Sequence, residues 1–364
     1  MSNILHLSKD INNEDLEKFL AKIYTSEIDT LSIVKHPSDY KFGITPMLLQ
    51  VISTLFLKND KIKVLIKDIN ITDIEDISKK IIYLSAIMRS NFLINKNEEQ
   101  LQKEYVKSAT IFLNNMNYPD KVGNTFKGIG TQYICFDWSK HYSYIDILYN
   151  NKKLILKEDF IEYVAPNIFR HSISKSAIWD SSKHAIKFDF SSILYELFQN
   201  TELHTRDNSF SRKSIRGFIL KYLKIQDSEY GKYGVISNYL EQKKLTTSQF
   251  LEMSVFDTGE GLAKSISDVS NFSFSEEINL VQKCFNKHVT RSNSKTRGIG
   301  LFEVVKLINK YRGLFILRTG RILLQVDSTQ IKIEDDKVFF QNLELKEHQE
   351  IIGTSYTILL PLVP

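Results

Sequence analysis

The chain has 364 residues, 42% hydrophobic and 25% charged, with a net charge of +5. At roughly 150 residues per domain this is a globular chain of about two domains, not a disordered or fibrous one. The mild charge comes from dispersed lysines and does not indicate nucleic acid, and Cys135 and Cys284 lie outside any C-x-x-C or histidine-rich context, which disfavours a zinc site or disulfide framework.

The opening stretch, "MSNILHLSKDIN", has Lys9 and Asp10 where a signal peptide would be apolar. The most apolar run, "ITPMLLQVISTLFL" (44–57), is too short for a bilayer span and contains Thr45, Gln50 and Ser53. A cytoplasmic, reduced protein with no membrane association is expected. Segment 30–35 reads as a strand. Segment 45–59 has helical spacing at Leu48, Val51, Ile52 and Leu55. A strand over 61–69 follows, then a helix over 73–88 with Asp73 as its N-cap. This strand–helix alternation predicts a small α/β domain over 1–110. Its order resembles STAS-type modules of bacterial partner-switching proteins.

Residues 111–156 read as a connecting region with short strands at 132–138 and 152–157, and "KGIGTQ" (127–132) as a turn. From 157 to 364 the pattern changes. A helix interrupted by proline is expected over 160–171, a strand at 185–190 and a helix over 191–205. A strand over 250–257 leads into a polar, lid-like stretch ending at Arg297, with a short amphipathic helix at Ile278, Val281 and Phe285. A helix over 300–311 and three further strands close the chain, with Gly313 as the left-handed residue ending that helix. Helices mixed with mostly antiparallel strands predict an α+β fold, here a two-layer sandwich.

Glu196, Asn200 and His204 recur every four residues, so on a helix they share one ridge beside Ile193 and Leu197. Such a ridge is either a set of surface contacts or a functional face. Asp257 ends an apolar run, and Gly259 and Gly261 follow it. Asp-Thr-Gly suits a hairpin turn, and it equally suits a fixed carboxylate beside a backbone that a ligand can approach. In "TRGIGLFEVVKLINKYRG" (296–313), Gly298 and Gly300 precede a helix with the apolar face Leu301, Val304, Val305 and Ile308, which leaves N–H groups free for an anion. The glycine pattern is not a dinucleotide fingerprint. No P-loop and no H-R-D or D-F-G triplet is present, which excludes P-loop NTPases and eukaryotic-type kinases.

In order, "ELFQN" (196–200), "DTGEG" (257–261), "RGIGL" (297–301) and "GTSYTILLP" (353–361) resemble the motifs of the GHKL superfamily, which includes gyrase, the large heat-shock chaperones, histidine kinases and MutL. The resemblance covers about 157–364. It implies a Bergerat-type α/β sandwich, a mixed and mostly antiparallel sheet with helices on one face, that binds ATP and Mg²⁺. Under it, Asp257 accepts from the adenine amine, and Gly259 and Gly261 clear room for base and ribose. Asn200 offers an oxygen to Mg²⁺. Glu196 orients or deprotonates the attacking water. Gly298, Ile299, Gly300 and Leu301 line the phosphates, Lys295 and Arg297 contact them, and Thr354 supports Asp257. His204 matches a histidine common in anti-sigma kinases of the superfamily.

Three uses of ATP follow. Glu196 suits an ATPase driving a conformational or partner-binding switch. The Glu196–Asn200–His204 spacing and the STAS-like start suit a serine kinase of the anti-sigma type acting on a protein partner. The third is a nucleotide-binding interaction module without turnover, of the kind also used in phage defence. A histidine autokinase is disfavoured: His171 is too close to Glu196 for a helical hairpin to intervene. Many family members close their lid across a homodimer.

Overall fold

The computed structural model describes residues 3–35, 40–90, 92–97, 99–118, 130–139, 142–173, 184–206, 213–226, 234–267, 269, 271–288, 299–341, 343 and 345–362. It is a mixed α/β molecule with one parallel and one antiparallel main sheet. No helix among the described residues is long and apolar enough to cross a membrane.

The N-terminal part alternates β1 (Ile4–Leu7), α1 (Asn13–Thr25), β2 (Thr30–Ile33), α2 (Ile44–Lys58) and β3 (Lys63–Leu65). Two short helices, α3 (Ile74–Ser78) and α4 (Ile81–Ile87), lead to β4 (Leu93–Ile94), and α5 (Gln102–Asn115) follows. The four strands form a parallel sheet in sequence order. The helix expected over 73–88 is therefore two helices; Asp73 stands at the N-cap of α3, but its carboxylate accepts the Asn70 N–H at 2.8 Å, one turn back, and makes no cap bond into α3. The first strand and helix, β1 and α1, were not anticipated from the sequence.

The antiparallel sheet contains β5 (Gly130–Phe136), β8 (Ile215–Lys224), β9 (Gln249–Asp257), β10 (Leu314–Gly320), β11 (Ile322–Asp327) and β14 (Ile351–Pro361), in the order β11-β10-β14-β9-β8-β5. Two small hairpins, β6–β7 (Tyr149–Asn150, Lys153–Leu154) and β12–β13 (Ile331–Glu334, Lys337–Phe340), lie outside it. β5 belongs to the segment read as a connection, and it is the edge strand of this sheet. Gly130 already pairs with Lys221, so the expected turn over 127–132 gives way to a strand there; residues 127–129 lie outside the described set.

One face of this sheet carries α6 (Ala165–Ile173), α7 (His184–Arg206) and α11 (Gly300–Lys310), and α8 (Val235–Lys243) lies between β8 and β9 in the chain. Before α6, residues Phe160–Val164 form a π turn. Pro166 supplies no N–H to the regular ladder, which accounts for the widened turn. The strand expected at 185–190 is the first part of α7. Ile186, Phe188 and Phe190 alternate in sequence, but Phe188 is exposed while Phe190 is buried, so period two is not what burial follows. At the end of α11 the left-handed residue is Arg312 (φ 51), not Gly313, whose N–H bonds to the Ile308 carbonyl.

The second face is covered as well, by α2. Ile44 to Phe56 are buried without interruption, because α2 lies between the antiparallel sheet and the helices α1 and α4. A helix apolar on every side needs such a double-sided site. The contact is also polar and specific. Gln50 Nε2 donates to the carbonyls of Arg318 (3.3 Å) and Ile352 (3.0 Å). The buried Glu252 carboxylate accepts from the N–H groups of Phe42 (2.6 Å) and Gly43 (3.4 Å), next to the positive end of the α2 dipole. The expected two-layer sandwich with helices on one face is thus extended by a further helix layer.

Candidate functional site

Asp257 ends β9 with its side chain on the face covered by α7 and α11, and it is only 2% exposed. Its Oδ1 accepts the Gly259 N–H at 2.8 Å. Burial pushes the carboxyl up to about 7, while the main-chain N–H groups of Gly259 and Thr354 pull the other way. Desolvation of a charged group outweighs two hydrogen bonds to it. The backbone around this residue is tight. Gly353 has φ +72, and a Cβ there would stand 2.1 Å from the Asp257 carbonyl oxygen. Gly261 has φ +86 and precedes α9 (Leu262–Ile266), beyond which lies α10 (Phe274–Cys284).

Thr354 pairs directly with Asp257 across β14 and β9. Its support for the carboxyl comes through the main chain, while its hydroxyl meets that of Thr319 at 3.2 Å. Thr319 in turn accepts the Leu262 N–H at 3.0 Å, which ties the start of α9 to the sheet.

Glu196 and Asn200 stand one turn apart on α7, both partly exposed. Glu196 Oε1 lies 2.7 Å from Lys157 Nζ. Its other oxygen rests against the first residue of α11: a Cβ on Gly300 would be 2.4 Å from Glu196 Oε2. The carboxylate therefore occupies the anion-favouring end of that helix. Asn200 Nδ2 is buried and finds no hydrogen-bond partner among the described residues. Tyr356 Oη, two residues beyond Thr354 on the same face of β14, is left in the same state.

The structure thus brings Glu196 and Gly300 together, places Ile299 and Leu301 on either side of Gly300, and groups Asp257, Gly259, Gly261 and Thr354 around the end of β9. Lys295, Arg297 and Gly298 lie outside the described residues, as does the side chain of His204.

Residues not singled out from the sequence complete the surroundings. Arg216, fully buried on β8 and paired in register with Asp257, holds Asp137 and Glu202 at 3.0 Å each and also contacts the Tyr149 hydroxyl. A buried guanidinium between two carboxylates satisfies all three charges. Lys157 lies 39 positions before Glu196, and no spacing rule links them. On the far side of the strand end, Arg89 Nη2 donates to Thr258 Oγ1 at 3.2 Å.

Among the described residues no three His, Cys, Asp or Glu side chains gather as a metal site. A metal carried in with phosphates needs fewer protein ligands, and one amide oxygen from Asn200 fits that need. The unpartnered Asn200 Nδ2, a donor that suits a phosphate oxygen, and the glycine-lined backbone beside Asp257 are compatible with a nucleotide–magnesium group. The sequence matches no protein-family model, and no curated protein or solved structure is similar enough to count as a match.

Proposed function

We propose that the chain binds Mg-ATP in a GHKL-type, Bergerat-like site between the α7–α11 face and the end of β9, and that it uses the nucleotide as a conformational or partner-binding switch with slow hydrolysis. The observation that carries this reading is the buried Asp257 carboxyl, held by a main-chain N–H and facing the helices that bear Glu196, Asn200 and Gly300. A carboxyl kept partly protonated by burial gains a charge-assisted hydrogen bond when a ligand amine donates to it.

Asp257 would read the adenine amine, with Thr354 holding it in place and Gly259 and Gly261 giving clearance. Asn200 would hold magnesium through its amide oxygen; when bound, the metal neutralises phosphate charge. The N–H groups of Ile299, Gly300 and Leu301 would cradle phosphates, with Gly298, Arg297 and Lys295 assigned to the same loop by resemblance. Glu196 would orient the attacking water once Lys157 releases it. Two buried free thiols, Cys135 and Cys284, suit a cytoplasmic setting.

The Lys157–Glu196 ion pair favours a second reading, a nucleotide-binding interaction module without turnover. Titration of the full chain with ATP, with and without Mg²⁺, followed by phosphate-release assays, separates the two. Binding that Asp257→Asn weakens at least tenfold supports the site, and absence of ATP binding at millimolar concentration overturns it. Transfer of labelled phosphate to a protein partner would indicate the serine-kinase alternative instead.

A further inference from the structure

A cavity of about 740 Å³ lies between the C-terminal end of α2 and the strand end that carries Asp257. It is on the opposite side of that strand end from Glu196 and Asn200, and both halves of the chain build it. Arg89, Lys61 and Phe56 come from the N-terminal part, and Lys213, Thr258 and Ile352 from the C-terminal part. Of the charged side chains on its wall four are cations and one, Asp60, is an anion.

Arg89 is the telling residue. It is 3% exposed, yet no carboxylate pairs with it among the described residues. Its Nη2 donates to Thr258, its Cζ lies 5.7 Å from the centre of the Trp138 ring, and its Nε has no partner among the described residues. A buried cation normally acquires an anion, because an unpaired charge in a poorly solvated place is costly. Lys213 points to the same spot, with Nζ donating to the Arg89 carbonyl at 2.8 Å. Its backbone sits at φ 41, a conformation that non-glycine residues rarely adopt. Burial alone holds the Arg89 guanidinium down to about 9, in keeping with the missing counter-charge.

We infer that this cavity is a second ligand site, separate from the proposed ATP site, for a phosphorylated small molecule of nucleotide size. Arg89, Lys213 and Lys61 would take the phosphate, and Phe56 and Ile352 would form the apolar wall for the rest. The volume lies within the usual range for small-ligand pockets. Occupancy would be felt at the proposed site, since Thr258 and Gly259 line the cavity and Gly259 donates to Asp257.

The test is calorimetric titration of the full chain with inorganic pyrophosphate and with a panel of nucleoside monophosphates. Wild type is expected to bind at least one probe, and Arg89→Gln and Lys61→Glu to weaken it at least tenfold. Asp257→Asn is expected to retain this binding, so its outcome is independent of the ATP reading. If Arg89→Gln does not fold, Lys61→Glu, at an exposed position, and Lys213→Gln decide. No binding of any probe at millimolar concentration overturns the inference, as does binding that these charge variants leave unchanged.

Discussion

Lys157 Nζ lies 2.7 Å from Glu196 Oε1, and the same carboxylate abuts Gly300 at the start of α11. The carboxylate that the ATPase reading assigns to water activation is therefore flanked on both sides. Under the ATPase reading, release of Lys157 is part of turnover. Lys157→Met is expected to raise phosphate release several-fold, and Glu196→Gln to lower it by about 10²–10⁴ with little change in affinity, the usual size of a general-base contribution. Steady-state phosphate release by the three proteins checks this; unchanged rates in the Glu196 variant would sink the assignment.

Asp257 predicts a pH dependence with a definite sign. Its folded-state pKa, about 7, lies above the ordinary carboxylate value. The folded form thus retains the proton longer than the unfolded chain does. Its contribution to stability is largest below about pH 4, declines as pH rises, and is flat above about pH 7. Nucleotide binding through the ionised carboxylate runs the other way. Affinity is expected to rise about tenfold between pH 6 and pH 8 and then level off. Asp257→Asn should remove that slope as well as weaken binding.

Gly353 and Gly234 both have positive φ, +72 and +56, but only one is enclosed. Alanine at 353 would drive a methyl into the Asp257 carbonyl, whereas among the described residues nothing lies within 4 Å of a Cβ at 234. Gly234→Ala is expected to cost about 1–3 kcal/mol, the backbone term alone, since its ψ of −122 lies outside the left-handed helical region. Gly353→Ala should cost clearly more and distort the end of β9. Urea denaturation of both variants compares them directly.

Gln50 couples the two halves of the chain. Gln50→Ala leaves the Arg318 and Ile352 carbonyls without this donor and opens space under α2, a loss of about 1–3 kcal/mol. Because α2 is buried between both halves, thermal unfolding is expected as a single transition in wild type and in Gln50→Ala. Two resolved transitions in calorimetry would show that the sheets do not share a cooperative core.

Short-range pattern made α2, β9 and α11 legible, whereas the grouping of the Asp257 and Gly353 segments came from the resemblance carried by the four motifs in order. Those signals live in neighbouring residues: helical spacing, an aspartate ending an apolar run, glycines where backbones crowd. β8 escaped notice because it is buried on both faces, so Ile215 to Leu220 show no alternation, and because it carries Arg216 and Lys221 inside. The stretch at 185–190 misled because Ile186, Phe188 and Phe190 alternate by accident of composition.

The amino-acid sequence by itself determined which segments could turn, cap and bury, since these depend on local sterics and on the periodicity of apolar side chains. Only the tertiary structure decided that Lys157 holds Glu196, that Arg216 stands beside Asp257, that β5 completes the antiparallel sheet, and that Arg89 reaches Thr258 across 169 positions. Those pairings join residues far apart in the chain, and their partners are set by how layers pack rather than by any spacing along it.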